Sequence, residues 1–251
     1  MKIGVIIQAR KGSTRLPGKV VMPFFNKECI LEIIIKRIAI KYPNIPIILA
    51  TTVDEKDDEV VFIGESLGVN VFRGSEENVL SRFTEIIKAF ELEGVIRVCA
   101  DNPFLDVDSF NEFLNWQSES KADYIGFGIS ATHPTIKTHF GLWAEYVSAA
   151  ALVKAEKLTQ KKLFMEHVTN FIYGNANHFE VEIHELPYGW GNKKDIRFTL
   201  DSMEDFNILQ SIYSNFKDME LEMTPKNLIE YVDENPGVSE MMKREIARWE
   251  K

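Results

Sequence analysis

Lys2-Ile3-Gly4-Val5-Ile6-Ile7-Gln8 is an apolar run that breaks directly into Ala9-Arg10-Lys11-Gly12-Ser13-Thr14-Arg15-Leu16-Pro17-Gly18-Lys19. The first segment has the pattern of a buried strand, and the glycines and proline after it read as a loop. Glycines let backbone N–H groups approach phosphate oxygens, while Arg10, Arg15 and Lys19 supply positive charge. The spacing is not that of a Walker A loop. Five residues lie between Gly12 and Gly18, and Val20 follows Lys19 where Ser or Thr would be needed to hold Mg²⁺. No G-x-G-x-x-G occurs either, so the dinucleotide fingerprint is absent.

Beyond this loop the chain alternates two periods. Ile30 to Ile40 is helical, with Leu31, Ile34, Ile35 and Ile38 on one stripe; helices are also predicted over Asp57 to Leu67 and Val79 to Phe90. Strands are predicted at Ile47 to Thr51, Val69 to Phe72 and Val95 to Cys99. That rhythm implies an α/β fold, with a mostly parallel central sheet and helices on both faces. Ligands bind such sheets beyond the carboxyl ends of the strands, so Gln8, Ala9, Arg10, Thr51 and Asp101 should share one cleft. From about Ala122 the pattern changes. Tyr124 to Phe127, Leu142 to Val147 and Phe179 to Glu185 read as strands and Leu163 to Tyr173 as a helix. The expectation is one domain over 1–251 with a small antiparallel lobe inserted at about 124–190, returning to the main sheet at Ile196 to Leu200. Helices at Met203 to Phe216, Lys226 to Asp233 and Ser239 to Trp249 close the chain.

Composition limits the function. The 251 residues are 45% hydrophobic and 27% charged, with a net charge of −9. That balance argues against a general nucleic-acid binder, whose affinity rests on basic contacts to phosphate. Yet the first 27 residues carry Lys2, Arg10, Lys11, Arg15, Lys19 and Lys27 before the first acid, Glu28. Positive charge concentrated in this way suits a small, highly charged anion. Gln8 and Arg10 interrupt the first apolar run, so it is neither a signal-peptide core nor a membrane span. Cys29 and Cys99 lie in apolar runs and read as small buried residues of a reducing, cytoplasmic compartment.

Two aspartates follow strand-like runs: Asp101 after Arg97-Val98-Cys99-Ala100, and Asp201 after Arg197-Phe198-Thr199-Leu200. Meeting in one cleft, they could hold a hard Mg²⁺ through oxygen while substrate phosphates complete its shell. Each has a purely structural alternative. Asp101 could make a turn before Asn102-Pro103, and Asp201 could cap a helix with Glu204 at the third helical position. The histidines show no paired metal spacing. Phe140, Trp143 and Trp190 read as core or interface packing.

Gln8 to Lys19 resembles the opening motif of the cytidylyltransferase family that includes the spore-coat polysaccharide biosynthesis protein F group, with the CMP-Kdo and CMP-sialic acid synthetases as distant relatives. The similarity continues through Val71-Phe72-Arg73-Gly74-Ser75-Glu76, Asn78-Val79-Leu80-Ser81-Arg82-Phe83, Ala100-Asp101-Asn102-Pro103, Glu166-His167-Val168-Thr169 and Arg197 to Asp201. It implies a Rossmann-like nucleotidyltransferase with CTP as donor, Mg²⁺ as cofactor, a small acceptor and a homodimeric state. By position, Arg10, Arg15, Lys19 and Asp101 would be catalytic. Gln8, Ala9, Gly12, Ser13, Thr51, Arg73, Gly74 and Ser75 would join them around the nucleotide. Asp101 and Asp201 would hold the metal, and Glu145, Glu166 and His167 would face the acceptor. The chain departs from the family's usual pattern at Asn78, Ser81 and Ala100, and over Thr138 to Glu145. There, Phe140 and Trp143 replace a basic and an acidic residue, which touches the acceptor side and leaves the donor side intact.

Overall fold

In the computed structural model, which describes residues 1–249, β1 (Ile3–Gln8) sends Val5 and Ile7 into one hydrophobic core and Ile6 into another. That two-residue alternation is why helices cover both faces of the sheet. A short hairpin of β2 (Pro23–Phe25) and β3 (Glu28–Cys29) precedes α1 (Ile30–Lys41), β4 (Ile47–Thr52), α2 (Asp58–Ser66), β5 (Asn70–Gly74), α3 (Val79–Phe90) and β6 (Gly94–Cys99). Then come α4 (Phe110–Glu119), β7 (Tyr124–Ser130), the two-residue β8 (His133–Pro134), β9 (Glu145–Ser148), α5 (Ala149–Leu158), α6 (Lys162–Glu166), α7 (Asn170–Tyr173) and β10 (Val181–Glu185). The closing helices are α8 (Met203–Asp218), α9 (Pro225–Glu234) and α10 (Pro236–Trp249).

The central sheet runs β10-β7-β9-β6-β1-β4-β5, with β8 on β7. β1 pairs in parallel with both β4 and β6, whereas β9 lies antiparallel between β6 and β7. The chain winds outward from β1 through β4 to β5 and then returns to the other side of β1 at β6. This reversal is the switch point at which such sheets leave a crevice. Gln8 and Cys99 are register partners there, so the ends of β1 and β6 open on the same place.

The mixed α/β architecture with a mostly parallel sheet matches the sequence reading, and three details differ. The strands of 124–190 extend the central sheet, with β10 parallel to β7, and the separate antiparallel pair is the β2–β3 hairpin. Ile196 to Leu200 is no strand. The N–H groups of Phe198 and Thr199 both donate to the His139 carbonyl (2.9 and 3.2 Å), so a turn holds the segment where a sheet neighbour was expected. The helix expected over Leu163 to Tyr173 is split into α6 and α7 at His167-Val168-Thr169. Among the described residues no helix is long and apolar enough to cross a membrane.

Gly141 makes the turn against Ile196 to Leu200 possible. Its φ is +62°, and a Cβ there would lie 2.8 Å from the Phe198 carbonyl group. Both terms penalise any side chain. Gly141→Ala is therefore expected to destabilise the fold by more than about 1 kcal/mol, read as a lowered urea midpoint. An unchanged midpoint would mean that the turn is not under this constraint.

Candidate active site

Leu16 and Val20 are buried in the larger core and anchor the basic loop from below. The loop closes on itself as the N–H groups of Ser13 and Gly18 donate to the Lys11 carbonyl (2.8 and 2.9 Å). Gly18 takes φ +75°, and the next side chain, Lys19, turns inward until the residue is only 7% exposed. Its Nζ donates to Asp101 Oδ2 at 2.6 Å, to the Leu200 carbonyl at 2.5 Å and to Asp201 Oδ1 at 3.2 Å. The two aspartates thus meet on a single cation.

Asp201 draws further charge. Arg15 Nη2 donates to Oδ1 at 2.6 Å and Arg197 Nη2 to Oδ2 at 3.0 Å. Arg197 is itself clamped by Asp205, with Nε to Oδ1 at 2.7 Å and Nη2 to Oδ2 at 2.9 Å. Its Nη1 lies 2.7 Å from His139 Nδ1, which must then be the unprotonated nitrogen, because a guanidinium only donates. Burial disfavours charge on Lys19, but Asp101 and Asp201 outweigh it and raise the ammonium pKa above its ordinary value. Asp201 mirrors this: burial pushes its pKa up, while Lys19, Arg15 and Arg197 win and hold it below the ordinary value.

Between this cluster and α3 lies a pocket of about 150 Å³ lined by Gln8, Arg10, Arg82, Asp101, Glu166 and His167, among others. Arg10 approaches Glu76 and Glu166 only loosely, at 3.7 Å each. The N–H groups of Gly12 and Thr14 have no hydrogen-bond partner among the described residues. Arg82 is 2% exposed, and its Nε and Nη1 are buried without partners. Desolvation, helped by the nearby Arg10 charge, lowers its pKa to about 10, so it stays protonated at neutral pH.

The structure gathers Gln8, Ala9, Arg10, Asp101, Glu166 and His167 around one pocket, with Arg15, Lys19 and Asp201 in one ion cluster that meets it at Asp101. Gly12 and Ser13, in the same loop, line a separate hollow with Lys11, Pro17 and Glu59. Arg73 points elsewhere: Nε bonds the Thr52 carbonyl (2.9 Å), Nη2 the Asp54 carbonyl (2.7 Å) and Nη1 Asp58 (2.6 Å), tying β5 to the segment after β4. Thr51 is fully buried, and Ser75 Oγ accepts from the Asn78 N–H at the start of α3. Gly74 makes room for Arg82, since a Cβ there would lie 2.6 Å from Arg82 Cγ. Asn78 and Ser81 cap α3 together, as the Ser81 N–H donates to Asn78 Oδ1 at 3.0 Å.

One expectation needs correction, and one structural alternative is excluded. Glu145 does not face an acceptor. It is 2% exposed and saturated by Arg97 Nη1 (2.5 Å), Tyr124 OH (2.7 Å) and Thr169 Oγ1 (3.1 Å). Asp201 is not the cap of α8. That role falls one residue later, to Ser202 with Asp205 as its capping-box partner, and the Asp201 carboxylate is left for the cluster. Phe140, Trp143 and Trp190 form a buried edge-to-face group with ring centroids 5.1–6.2 Å apart. Sequence reasoning missed the bracing of Arg197 by Asp205 and His139. The four-residue steps from Arg197 through Asp201 to Asp205 were the available signal.

A doubly wound sheet with a basic loop at its switch point and two facing aspartates is the framework of a nucleotidyltransferase. Residues 4–234 match the cytidylyltransferase family, and the chain belongs to it. It is 34% identical over 238 residues to the uncharacterized protein MJ1063 of Methanocaldococcus jannaschii, covering 95% of this chain and 93% of that one. It is 29% identical to the spore coat polysaccharide biosynthesis protein SpsF of Bacillus subtilis, covering 93% and 95%. A solved cytidylyltransferase from Leptospira borgpetersenii superposes with a TM-score of 0.82 at 26% identity, covering 95% of this chain and 96% of that one.

Because Asp201 is more acidic folded than unfolded, its stabilising contribution is present above pH ~4 and fades as pH falls through the lower folded value. Asp201→Asn should therefore be less stable than the parent at pH 7, with the gap narrowing at pH 3. Urea unfolding at the two pH values measures this, and a gap that widens in acid would contradict the ion cluster.

Proposed function

We propose that the protein transfers CMP from CTP to a small acceptor, an acidic sugar or phosphorylated polyol, and releases pyrophosphate. The observation that carries this reading is the Lys19 ammonium set between Asp101 and Asp201. Arg15 stands on the same cluster, and Arg10 and the two uncommitted N–H groups of the loop stand beside it. Similarity to the spore coat polysaccharide protein supports a role in making surface glycoconjugates.

Asp101 and Asp201 suit Mg²⁺, because both are hard oxygen donors already converging on one cation. Among the described residues no trio of His, Cys, Asp or Glu could hold an ion alone, so phosphate oxygens and water would complete the shell. The ion would polarise the α-phosphate. Lys19, Arg15 and Arg10 would neutralise the charge that grows on the departing pyrophosphate, as in other phosphoryl transfers. The loose pairs of Arg10 with Glu76 and Glu166 leave its guanidinium able to exchange partners for phosphate. Glu166 and His167, which line the pocket, would meet the acceptor. By the family resemblance the working form would be a homodimer, and the free thiols of Cys29 and Cys99 suit a reducing cytoplasm.

Pyrophosphate release with Mg²⁺ and each of CTP, UTP and GTP, run across a panel of sugar acids, polyol phosphates and phosphonates, tests the reading. CTP with one acceptor class should turn over. Release from UTP or GTP alone would overturn the donor assignment. Asp101→Ala and Lys19→Ala should each lower that rate on the order of 10²- to 10³-fold while unfolding cooperatively. Near-parental turnover in Asp101→Ala would remove it from the chemistry.

A further inference from the structure

Asp57 is a buried acid with no part in the chemistry proposed above, yet it grips the basic loop. It ends a short 3₁₀ turn (Glu55–Asp57) and stands at the N-cap of α2, where an aspartate ordinarily accepts from the first turn of its own helix. Here the carboxylate is turned from that position toward the loop, and the residue is 2% exposed. Its Oδ1 accepts from the Lys11 N–H at 2.7 Å. Its Oδ2 accepts from the Thr52 N–H at 3.3 Å and from the Thr52 hydroxyl. One side chain therefore joins the loop to the end of β4.

Lys11 is the residue on which the loop turns. Its carbonyl accepts from the N–H groups of Ser13 and Gly18, which closes the loop on itself. The peptide from Lys11 to Gly12 is trans, so its N–H points opposite to that carbonyl. Closure thus turns the Gly12 N–H outward, where it has no partner among the described residues. Closure alone does not set the loop's attitude to the sheet. The preceding peptide contributes that, because its N–H, on Lys11, is the one that Asp57 holds. Lys11 Nζ adds an ion pair at 2.6 Å with Glu59 in the first turn of α2. Behind Asp57, Arg73 bonds the carbonyls of Thr52 and Asp54 and the carboxylate of Asp58, which stiffens the segment that carries it.

Resting on the reading of this loop as the cradle of a triphosphate, we infer that Asp57 is a positioning residue for the donor phosphates. By holding the Lys11 N–H it sets the angle at which the loop leaves β1, and with it the places of Arg10 and of the Gly12 and Thr14 N–H groups. A carboxylate suits the task because its two oxygens accept on two sides at once. α2 forgoes a side-chain cap, and the loop gains an anchor.

The test compares the full chain with Asp57→Ser, Asp57→Asn and Val232→Ala by urea unfolding and by calorimetric binding of inorganic tripolyphosphate and CTP in Mg²⁺. Serine can cap α2, so that variant should fold, but its hydroxyl is too short to hold Lys11 and Thr52 together. Asparagine keeps an acceptor oxygen for Lys11. Val232→Ala opens a vacancy in the core under α9 and reports what lost stability does by itself. Tripolyphosphate affinity should fall at least about tenfold in Asp57→Ser and stay within about threefold of the parent in the other two. Parental affinity in Asp57→Ser overturns the inference and leaves the donor reading standing. An equal loss in Asp57→Asn makes charge the cause instead of the grip on Lys11, and an equal loss in Val232→Ala makes stability the cause; either overturns it. Should Asp57→Ser fail to unfold cooperatively, amide exchange in the parent decides. The Lys11 amide should exchange at least about tenfold more slowly, relative to its intrinsic rate, than those of Gly12 and Thr14, and equal protection overturns the inference. A parent that binds neither tripolyphosphate nor CTP overturns the donor reading itself, and the inference with it.

Discussion

A buried ammonium needs counter-charge, and that requirement at Lys19 organises the mouth of the sheet. Its partners come from opposite parts of the chain: Asp101 at the end of β6, and the Leu200 carbonyl with Asp201 from the stretch before α8. In a medium less polar than water these attractions are strong, but so is the cost of stripping each ion of its hydration. The arrangement holds because almost every charge in it has more than one partner. Lys19 has three, and Asp201 is shared among Lys19, Arg15 and Arg197. Arg197 is braced in its turn by Asp205 and His139. The cleft is therefore assembled before any ligand arrives, which spares binding the cost of ordering it.

A second polar chain runs beneath the first and has a different purpose. Arg97, Glu145, Tyr124 and Thr169 are sealed inside the sheet and its covering helices, and only Gln8 reaches the pocket from them. The reversed direction of β9 makes this possible. It sets Glu145 as the register partner of Arg97, at the same end of the sheet where β1 finishes. In a wholly parallel sheet the start of that strand would lie at the far end. One antiparallel strand thus converts a buried ion pair into a support for a residue of the site.

The parts of this fold that were legible in the sequence are those written in local periodicity. β1, the basic loop and the α/β alternation as far as Cys99 follow from apolar spacing and glycine placement. Asp101 was legible because a carboxylate just past a parallel strand can point in few directions. What could not be read depends on long-range pairing. Arg73 and Arg82 lie nine residues apart in one motif; one braces the β4 turn and the other faces the pocket, and only the packing around Gly74 separates them. Glu145 looked available because sequence does not reveal which acids an interior arginine will claim. Ile196 to Leu200 has the composition of a strand, and its N–H groups are taken by His139 instead of a neighbour. Asp201 and Ser202 compete as caps of α8 by one residue, a margin set by the carboxylate's partners outside the helix.

The sheet has two open borders, β5 and β10, and unpaired strand borders invite other chains to add on. β10 answers this with Glu182 and Glu185 and a His184 whose ring lies flat on Trp116, 3.5 Å between centroids. Two copies meeting along this border would bring carboxylates from both into contact as the ladder formed. Self-association that continues one sheet into another is thereby discouraged, and stickiness during synthesis and storage is reduced at the border where the last strand is laid down.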